Sequence, residues 1–185
     1  CCFCLQRKNR SLMENLRGKK ISLRALEPED LEFLYAAENN EANWEVSNTQ
    51  APFSKYLLKQ YLENAHLDIY DAKQLRLVIE HNVSKQTIGL IDLFDFNPQH
   101  KRVGVGVLIA AEFQQKGFAS DALAVLVPYA FTHLNVHQLY ANITSDNSKS
   151  IALFEKHRFR EVGVKKDWIL SNGKFKDELL FQLIK

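Results

Sequence analysis

The segment EFQQKGFASDALAVL, Glu112–Leu126, joins a strand-like run to a long amphipathic segment. The run before it, KRVGVGVLIA, is apolar, and the residues after Gly117 have the spacing of a helix that ends near His133. A glycine turn at a helix start presents unpaired backbone N–H groups at the positive end of the helix dipole. Lys116 adds a positive charge, and Gly117 has no Cβ to keep an anion away. The junction therefore predicts an anion site, unless it is only a tight strand-to-helix turn.

The junction does not match the common phosphate-binding motifs. Its pattern, Gln114-x-x-Gly117-x-Ala119, lacks the Gly-Lys-Ser/Thr of a P-loop. It also lacks the G-x-G-x-x-G of dinucleotide-binding folds. The rest of the sequence must therefore decide what the junction binds.

The composition is that of an ordinary globular domain. The chain has 185 residues, of which 46% are hydrophobic and 25% charged, and its net charge is +2. So small a charge gives no indication of a nucleic acid or membrane partner, and no apolar run reaches the roughly 20 residues of a membrane span. We therefore expect one domain, residues 19–185, with neither kind of partner.

The cysteines are confined to the N-terminal tail, at Cys1, Cys2 and Cys4. A core without cysteine needs no disulfide, which predicts a cytoplasmic location. The tail cysteines could bind a metal or carry a lipid, but a disordered tail over residues 1–18 without a metal is the simpler interpretation. Because Met13 is the only methionine, we expect residues 1–12 to lie upstream of the natural start.

The hydrophobic patterns predict the order β-α-α-β-β-β-α-β-α-β-β, an α+β (mixed α/β) fold with a mostly antiparallel central sheet flanked by helices. The three middle strands are separated by NVSK and NPQH, which suit hairpin turns. The predicted strands are KKISLRAL, QLRLVIEH, QTIGLIDLFDF, KRVGVGVLIA, HQLYANIT, FREVGVKKDWIL and FKDELLFQLIK. The predicted helices begin near Pro28, Ser54, Gly117 and Asn147.

Two motifs in this order resemble those of the GNAT acetyltransferase superfamily. The junction resembles that family's Q/R-x-x-G-x-G/A loop, which lies between a strand and a helix. The segment SDNSKSIALFEKHRF resembles the family's N-x-x-S/A-x-x-(L/I)-(Y/F)-x-K-x-G-F segment, and the order of elements matches from about Lys19 to Lys185. In detail the chain is most similar to spermidine acetyltransferases, and next to ribosomal-protein N-terminal acetyltransferases.

The resemblance implies acetyl-CoA as cosubstrate, with its diphosphate held by the N–H groups of the loop. It also implies that pantetheine pairs with the strand containing Gly104 and Gly106, where a bulge splays that strand from its neighbour. The implied cofactor-binding residues are Val107, Leu108, Ile109, Gln114, Gln115, Lys116, Gly117, Phe118, Ala119, Ser120, Asn147, Ser150 and Lys156.

The implied reaction is attack of a primary amine on the thioester, which requires a base to remove the proton of the alkylammonium. The domain contains no cysteine, so no cysteine is available for a covalent acetyl-enzyme. By resemblance, Glu80 and Asp92 are the candidate bases, acting through water, and also candidate anchors of a polycation. Glu38, Glu41 and Glu45 form a further acidic group, which suits a polycationic substrate, and Glu38 and Glu41 are candidate substrate-binding residues. Each of these acids could instead point to solvent.

The sequence departs from the family pattern in two places. Phe154 stands where many members have a tyrosine that protonates the leaving thiolate, and Arg158 replaces the glycine of K-x-G-F. Solvent, Tyr140 or His157 could supply the proton instead.

We expect an N-acetyltransferase that acts on a polyamine such as spermidine. The alternatives are a protein N-terminus, an aminoglycoside or an amino sugar as acceptor, or a CoA-binding module without turnover. The closing hairpin offers an edge through which copies could pair, so a homo-oligomer is a further expectation. We expect no metal.

Overall fold

The computed structural model describes residues 16–41, 43, 44, 51–65 and 67–185. The predictions for the cysteines, Met13 and Glu45 lie outside these residues. The described helices are α1 (Leu31–Glu38), which follows a 3-10 turn at Pro28–Asp30, α2 (Lys55–Glu63), α3 (Ile69–Ala72), α4 (Phe118–Thr132) and α5 (Ser148–Lys156). The strands are β1 (Ile21–Arg24), β2 (Leu75–His81), β3 (Thr87–Asn97), β4 (Arg102–Ile109), β5 (Gln138–Thr144), β6 (Arg160–Ser171) and β7 (Lys174–Ile184).

The predicted fold class and element order are confirmed, with α3 as an additional short helix. The sequence predicted one helix that begins near Ser54, but α2 ends at Glu63 and Asp68 starts a new helix. The Asp68 carboxylate accepts hydrogen bonds from the N–H groups of Tyr70 and Asp71, which is typical of a helix N-cap. Among the described residues, no helix combines the length and the apolar character that a membrane crossing requires.

The strands form one seven-stranded sheet in the order β1-β2-β3-β4-β5-β7-β6. All neighbours are antiparallel except β4 and β5. Alternate residues of a strand point to opposite faces, so the sheet has a core on each side. On β2, Leu77 and Ile79 belong to the core that includes α4, whereas Val78 packs with Leu34 of α1 and Leu58 of α2.

Residues 16–18, which the sequence assigned to the tail, are bonded to β1. The N–H of Leu23 donates to the carbonyl of Leu16 at 2.8 Å, and the N–H of Gly18 donates to that of Ile21 at 2.7 Å. The part of the chain held by the sheet therefore includes Leu16.

The parallel pair β4–β5 separates soon after it begins. Its register covers only Arg102–Gly104 of β4, opposite Gln138–Tyr140 of β5. The expected splay is thus present, but the bulge expected in β4 lies in β3. The register shift falls between Phe94 and Asn97. Gly104 is needed because a Cβ there would lie 2.3 Å from the ring of Phe94.

Candidate active site

A groove of about 520 Å³ begins where β4 ends and α4 starts. The end of β4 forms one wall, the loop before α4 forms the floor, and the first turns of α4 and α5 close the other side. The lining residues are Asn43, Val107, Leu108, Ile109, Phe113, Gln114, Gln115, Gly117, Phe118, Ala119, Ser120, Asn147, Lys149, Ser150 and Leu153.

The floor of the groove presents backbone N–H groups without a protein partner. Gln115 and Gly117 have φ angles of +60° and +83°, so the chain turns sharply before α4. The first amide of this helix that donates to the backbone is that of Asp121, to the carbonyl of Gly117 at 3.1 Å. Within the described part of the chain, no acceptor takes the amides of residues 115–120. These amides and the dipole of a 15-residue helix make an anion site.

The cation beside this loop is Lys20, which the sequence did not single out. Its Nζ donates to the carbonyl of Lys116 at 2.9 Å, and a Cβ on Gly117 would lie 3.6 Å from it. The side chain of Lys116 instead bonds back to the carbonyl of Glu112 at 2.8 Å and does not line the groove. Lys20 is therefore the cation bonded to the loop itself, and Lys149 is the cation in the lining of the groove.

Asp121, in the first turn of α4, would repel an anion if its carboxylate faced the loop. The carboxylate is instead held at β1 by the N–H groups of residues 19–21, at 3.2, 2.6 and 3.2 Å. These bonds tie β1 to α4 and keep the negative charge out of the groove.

The start of α5 forms the other wall as expected. The Asn147 side chain caps the helix by accepting the N–H of Ser150 at 3.1 Å, and both residues line the groove with Lys149. Lys156 is exposed in the last turn of α5 and lies outside the lining. Lys156 therefore lies at the other end of α5 from Asn147 and Ser150, and the structure does not bring it to the groove.

The groove continues through the gap between β4 and β5 into a small cavity of about 160 Å³. Val107, Asn147 and Ser150 line both spaces. Phe154 forms part of this small cavity and packs edge-to-face on Phe159, with ring centroids 5.0 Å apart. The aromatic residue expected from the family motif therefore lies at the gap, but phenylalanine has no acidic proton to donate.

Beyond the gap lies a third cavity, of about 530 Å³, with a group of charged residues. Arg76 Nε and Nη2 donate to the two oxygens of Asp92 at 2.6 and 3.1 Å, and Nη1 donates to Glu38 at 2.5 Å. Burial lowers the pKa of Arg76, but the charge and hydrogen bonds of Asp92 outweigh burial and raise the pKa above its ordinary value. The guanidinium thus stays charged between the two acids.

A second ion pair lies on the opposite wall of this cavity. Lys165 Nζ donates to Glu178 Oε2 at 2.6 Å and to Asn142 Oδ1 at 3.2 Å. The same ammonium lies 5.2 Å from the ring centroid of Trp168. The Glu178 side chain is 14% exposed.

The structure brings together only some of the predicted acids. Asp92 and Glu38 line the charged cavity. Glu80 does not, because Arg24 and Lys85 hold its carboxylate at 3.0 and 3.3 Å outside the cavity. Glu41 is exposed and also lies outside it. The structure therefore does not bring Glu80 and Glu41 to the charged cavity, in contrast to what the sequence predicted.

The two alternative proton donors lie outside the three cavities. The Tyr140 hydroxyl donates to Asp95 at 3.3 Å, and burial with the Asp95 charge raises its pKa to about 12. His157 Nε2 lies 2.9 Å from Ser120 Oγ, and burial, with a smaller effect of Lys156, lowers its pKa. Neither side chain lines the gap.

The sequence missed Lys20, Arg76, Lys165 and Glu178. Arg76 had a usable signal, because its strand is predicted to pair with the strand of Asp92 across a short turn. Lys165 and Glu178 had the same signal, because they lie opposite each other in the closing hairpin. Lys20 reaches the loop through a contact between elements that are distant in the sequence.

Comparison with known proteins gives the family. Residues 20–160 match the model of the acetyltransferase (GNAT) domain. The chain belongs to the GNAT acetyltransferase family. It is 32% identical over 163 residues to a spermidine N(1)-acetyltransferase of Vibrio cholerae, covering 86% of this chain and 90% of that one. A crystal structure of spermidine N-acetyltransferase from Vibrio cholerae in complex with CoA and spermine has a TM-score of 0.81 and 32% sequence identity. The match covers 89% of this chain and 95% of that one. A dodecameric structure of the Vibrio cholerae enzyme has a TM-score of 0.75 with 32% identity, and covers 89% of this chain and 94% of that one.

Membership of this family confirms the expected N-acetyltransferase activity and the use of acetyl-CoA. The groove fits this cosubstrate on its own geometry. The free amides and Lys20 suit a diphosphate. Beyond Gly104, no strand of the described residues pairs with the side of β4 that faces β5, so nothing there competes with pantetheine. The described residues contain no group of three or more His, Cys, Asp or Glu side chains able to hold a metal ion.

Proposed function

We propose that the chain acetylates a primary amine of a polyamine such as spermidine or spermine, with acetyl-CoA as donor. The observation that carries this proposal is the meeting of two spaces at the gap between β4 and β5. The groove with the free amides opens on one side, and the cavity lined by Glu38, Asp92 and Glu178 opens on the other. The spermidine acetyltransferases among its relatives support this choice of acceptor.

In this proposal the amides of residues 115–120 and Lys20 hold the diphosphate of acetyl-CoA. The backbone of Val107–Ile109 pairs with pantetheine and directs the thioester into the gap. The amine loses a proton, its nitrogen attacks the carbonyl carbon, and the C–S bond breaks. Residues 5–185 contain no cysteine, so the proposed attack is direct, without a cysteinyl intermediate.

Glu38 is the proposed anchor for the distant ammonium of the polyamine. Its Oε1 is bonded to Arg76, whereas no described residue donates to its Oε2. A carboxylate has lone pairs for several donors, so Oε2 can take an ammonium without displacing Arg76. Asp92 has both oxygens on Arg76 and fixes the guanidinium beside the substrate.

A protein N-terminus is the second candidate acceptor. The observation that favours it is the pair of cations in the cavity, Arg76 and Lys165. These cations suit a carboxylate of a peptide better than the second ammonium of a polyamine. Steady-state assays of CoA release with spermidine, spermine, butylamine, peptides and an aminoglycoside separate the candidates. Release that is fastest with peptides would refute the polyamine proposal.

A matched pair of variants tests the anchor. Glu38 and Glu80 are both glutamates bonded to an arginine, with side chains 13% and 18% exposed, but only Glu38 lines the cavity. We expect Glu38→Gln to raise the KM for spermidine about tenfold, since a charged hydrogen bond contributes about 1.5 kcal/mol. It should raise the KM for butylamine less than about twofold, because butylamine has no second ammonium, while Glu80→Gln should leave both KM values unchanged. Equal effects of Glu38→Gln on the two amines would rule out this anchor.

We also propose a cytoplasmic location and a homo-oligomer. A folded region without cysteine supports the first. The dodecameric relative supports the second, as do exposed apolar side chains on the β6–β7 hairpin, including Trp168, Leu170 and Phe175. Sedimentation at the 21.4 kDa of one chain would contradict the oligomer.

A further inference from the structure

Glu178 occupies a position that no other carboxylate of the described residues shares. It lines both the small cavity at the gap and the charged cavity beyond it. The other ionisable residues of the charged cavity, Glu38, Arg76, Asp92 and Lys165, do not border the small cavity. An amine entering from one side and a thioester entering from the other would meet beside Glu178.

One oxygen of Glu178 is available for a proton. Lys165 donates to Oε2, and no described residue donates to Oε1. The competing carboxylate, Asp92, has both oxygens bonded to Arg76. Phe154, on the wall of the small cavity, cannot exchange a proton at all.

We propose that Glu178 is the proton-transfer residue of the reaction, and that it serves both the amine and the leaving thiolate. The assignment rests on the proposed acetyl transfer. The carboxylate first takes a proton from the alkylammonium, which leaves a neutral amine and a carboxylic acid. The nitrogen lone pair then forms the C–N bond, and the C–S electron pair goes to sulfur. The carboxylic acid returns its proton to that thiolate, giving CoA and the starting carboxylate.

After the C–N bond forms, the nitrogen still carries two protons, and one of them leaves to water through the charged cavity while the other stays in the amide. One alkylammonium and one acetyl-CoA thus give one acetamide, one CoA and one proton. A single carboxylate at the gap therefore performs the step for which the family motif has a tyrosine, and Phe154 need not take part. Lys165 is a positioning residue, because its bonds to Glu178 and Asn142 hold the carboxylate at the gap.

The test is Glu178→Gln, which keeps the shape and a hydrogen-bond acceptor for Lys165 but removes the base. We expect kcat to fall at least about 100-fold, in the range of general acid–base catalysis. The KM for the amine and the Kd for CoA should change less than about threefold. Glu178→Asp, which retains a carboxylate, should keep more of kcat than Glu178→Gln does. Formate should restore part of the activity of Glu178→Ala.

Glu161→Gln, on the exposed part of β6, is the control and should match the wild type. A kcat for Glu178→Gln within about threefold of wild type would overturn the assignment. So would a raised KM with unchanged kcat, which would make Glu178 an anchor. If Glu178→Gln does not fold, absence of formate rescue in a folded Glu178→Ala counts against the proposal. A wild-type protein that releases no CoA with any amine refutes the proposed function itself, and this assignment with it.

Discussion

Replacement of Gly117 by aspartate should weaken binding of acetyl-CoA far more than replacement by asparagine does. The two side chains have the same size and both tolerate a positive φ better than other residues do. A Cβ at this position would lie 3.6 Å from Lys20 Nζ, which is ordinary contact, so the fold can accommodate either residue. The variants therefore differ in charge alone.

The φ of +83° at Gly117 gives both variants a strain of about 1–2 kcal/mol. The aspartate adds a negative charge about 5 Å from the diphosphate, which costs about 3 kcal/mol at an effective dielectric constant of about 20. That energy weakens CoA binding roughly 100-fold beyond the asparagine variant. The new carboxylate would also pair with Lys20 and remove the second attraction for the diphosphate.

Isothermal titration calorimetry of CoA against the wild type and the two variants measures this difference. Thermal unfolding of each protein without ligand shows whether the variants are folded. Equal Kd values for the aspartate and asparagine variants would refute the assignment of the loop to the diphosphate.

Two further predictions concern stability. Asp121→Asn should lower the free energy of unfolding by about 2 kcal/mol, because three N–H groups lose a charged acceptor. Thermal unfolding should then show a Tm lower by about 4–8 °C. An unchanged Tm would contradict the proposed stabilising link between β1 and α4. Burial raises the pKa of Asp30, but hydrogen bonds from Arg24, the N–H of Glu27 and Thr87 outweigh burial and bring the pKa below its ordinary value. A carboxyl with a lower pKa in the folded chain contributes stability that is present above about pH 4 and lost as the pH falls through the folded pKa. Urea unfolding between pH 7 and pH 3 should therefore show a smaller loss of stability in Asp30→Asn than in the wild type, and parallel losses would contradict this account.

The loop could be predicted from sequence because its determinants are local. A glycine before an amphipathic helix and the strand before it specify free amides within a few residues, whatever the rest of the fold does. Lys20 could not be predicted as a neighbour of the loop, because the packing of β1 on α4 brings it there.

The acids were harder to place because strand alternation does not reveal their neighbours. Glu80 lies between Ser22 of β1 and Thr87 of β3, where Arg24 reaches its carboxylate. Asp92 lies directly opposite Arg76, so the register forms its ion pair. Both acids follow apolar residues in similar strands, and only the register separates their environments.

The gap between β4 and β5 was also hard to predict, because it depends on contacts between strands. Gly104 and Gly106 predicted a bulge in β4, but the extra residue is in β3, and β4 parts from β5 after Gly104. Gly104 is required by the ring of Phe94 on the neighbouring strand, a contact that one strand's sequence does not contain. Glu178 lies on the last strand and reaches the gap only through the pairing of β7 with β5.

The binding of the diphosphate by the amides of residues 115–120 is the claim on which the others depend. A crystal structure of the CoA complex measures it directly. In that complex we expect phosphate oxygens within about 2.7–3.2 Å of several of these amide nitrogens. We also expect Lys20 Nζ nearby and pantetheine in the gap between β4 and β5. A diphosphate bound elsewhere, with these amides bonded to the protein instead, would contradict it.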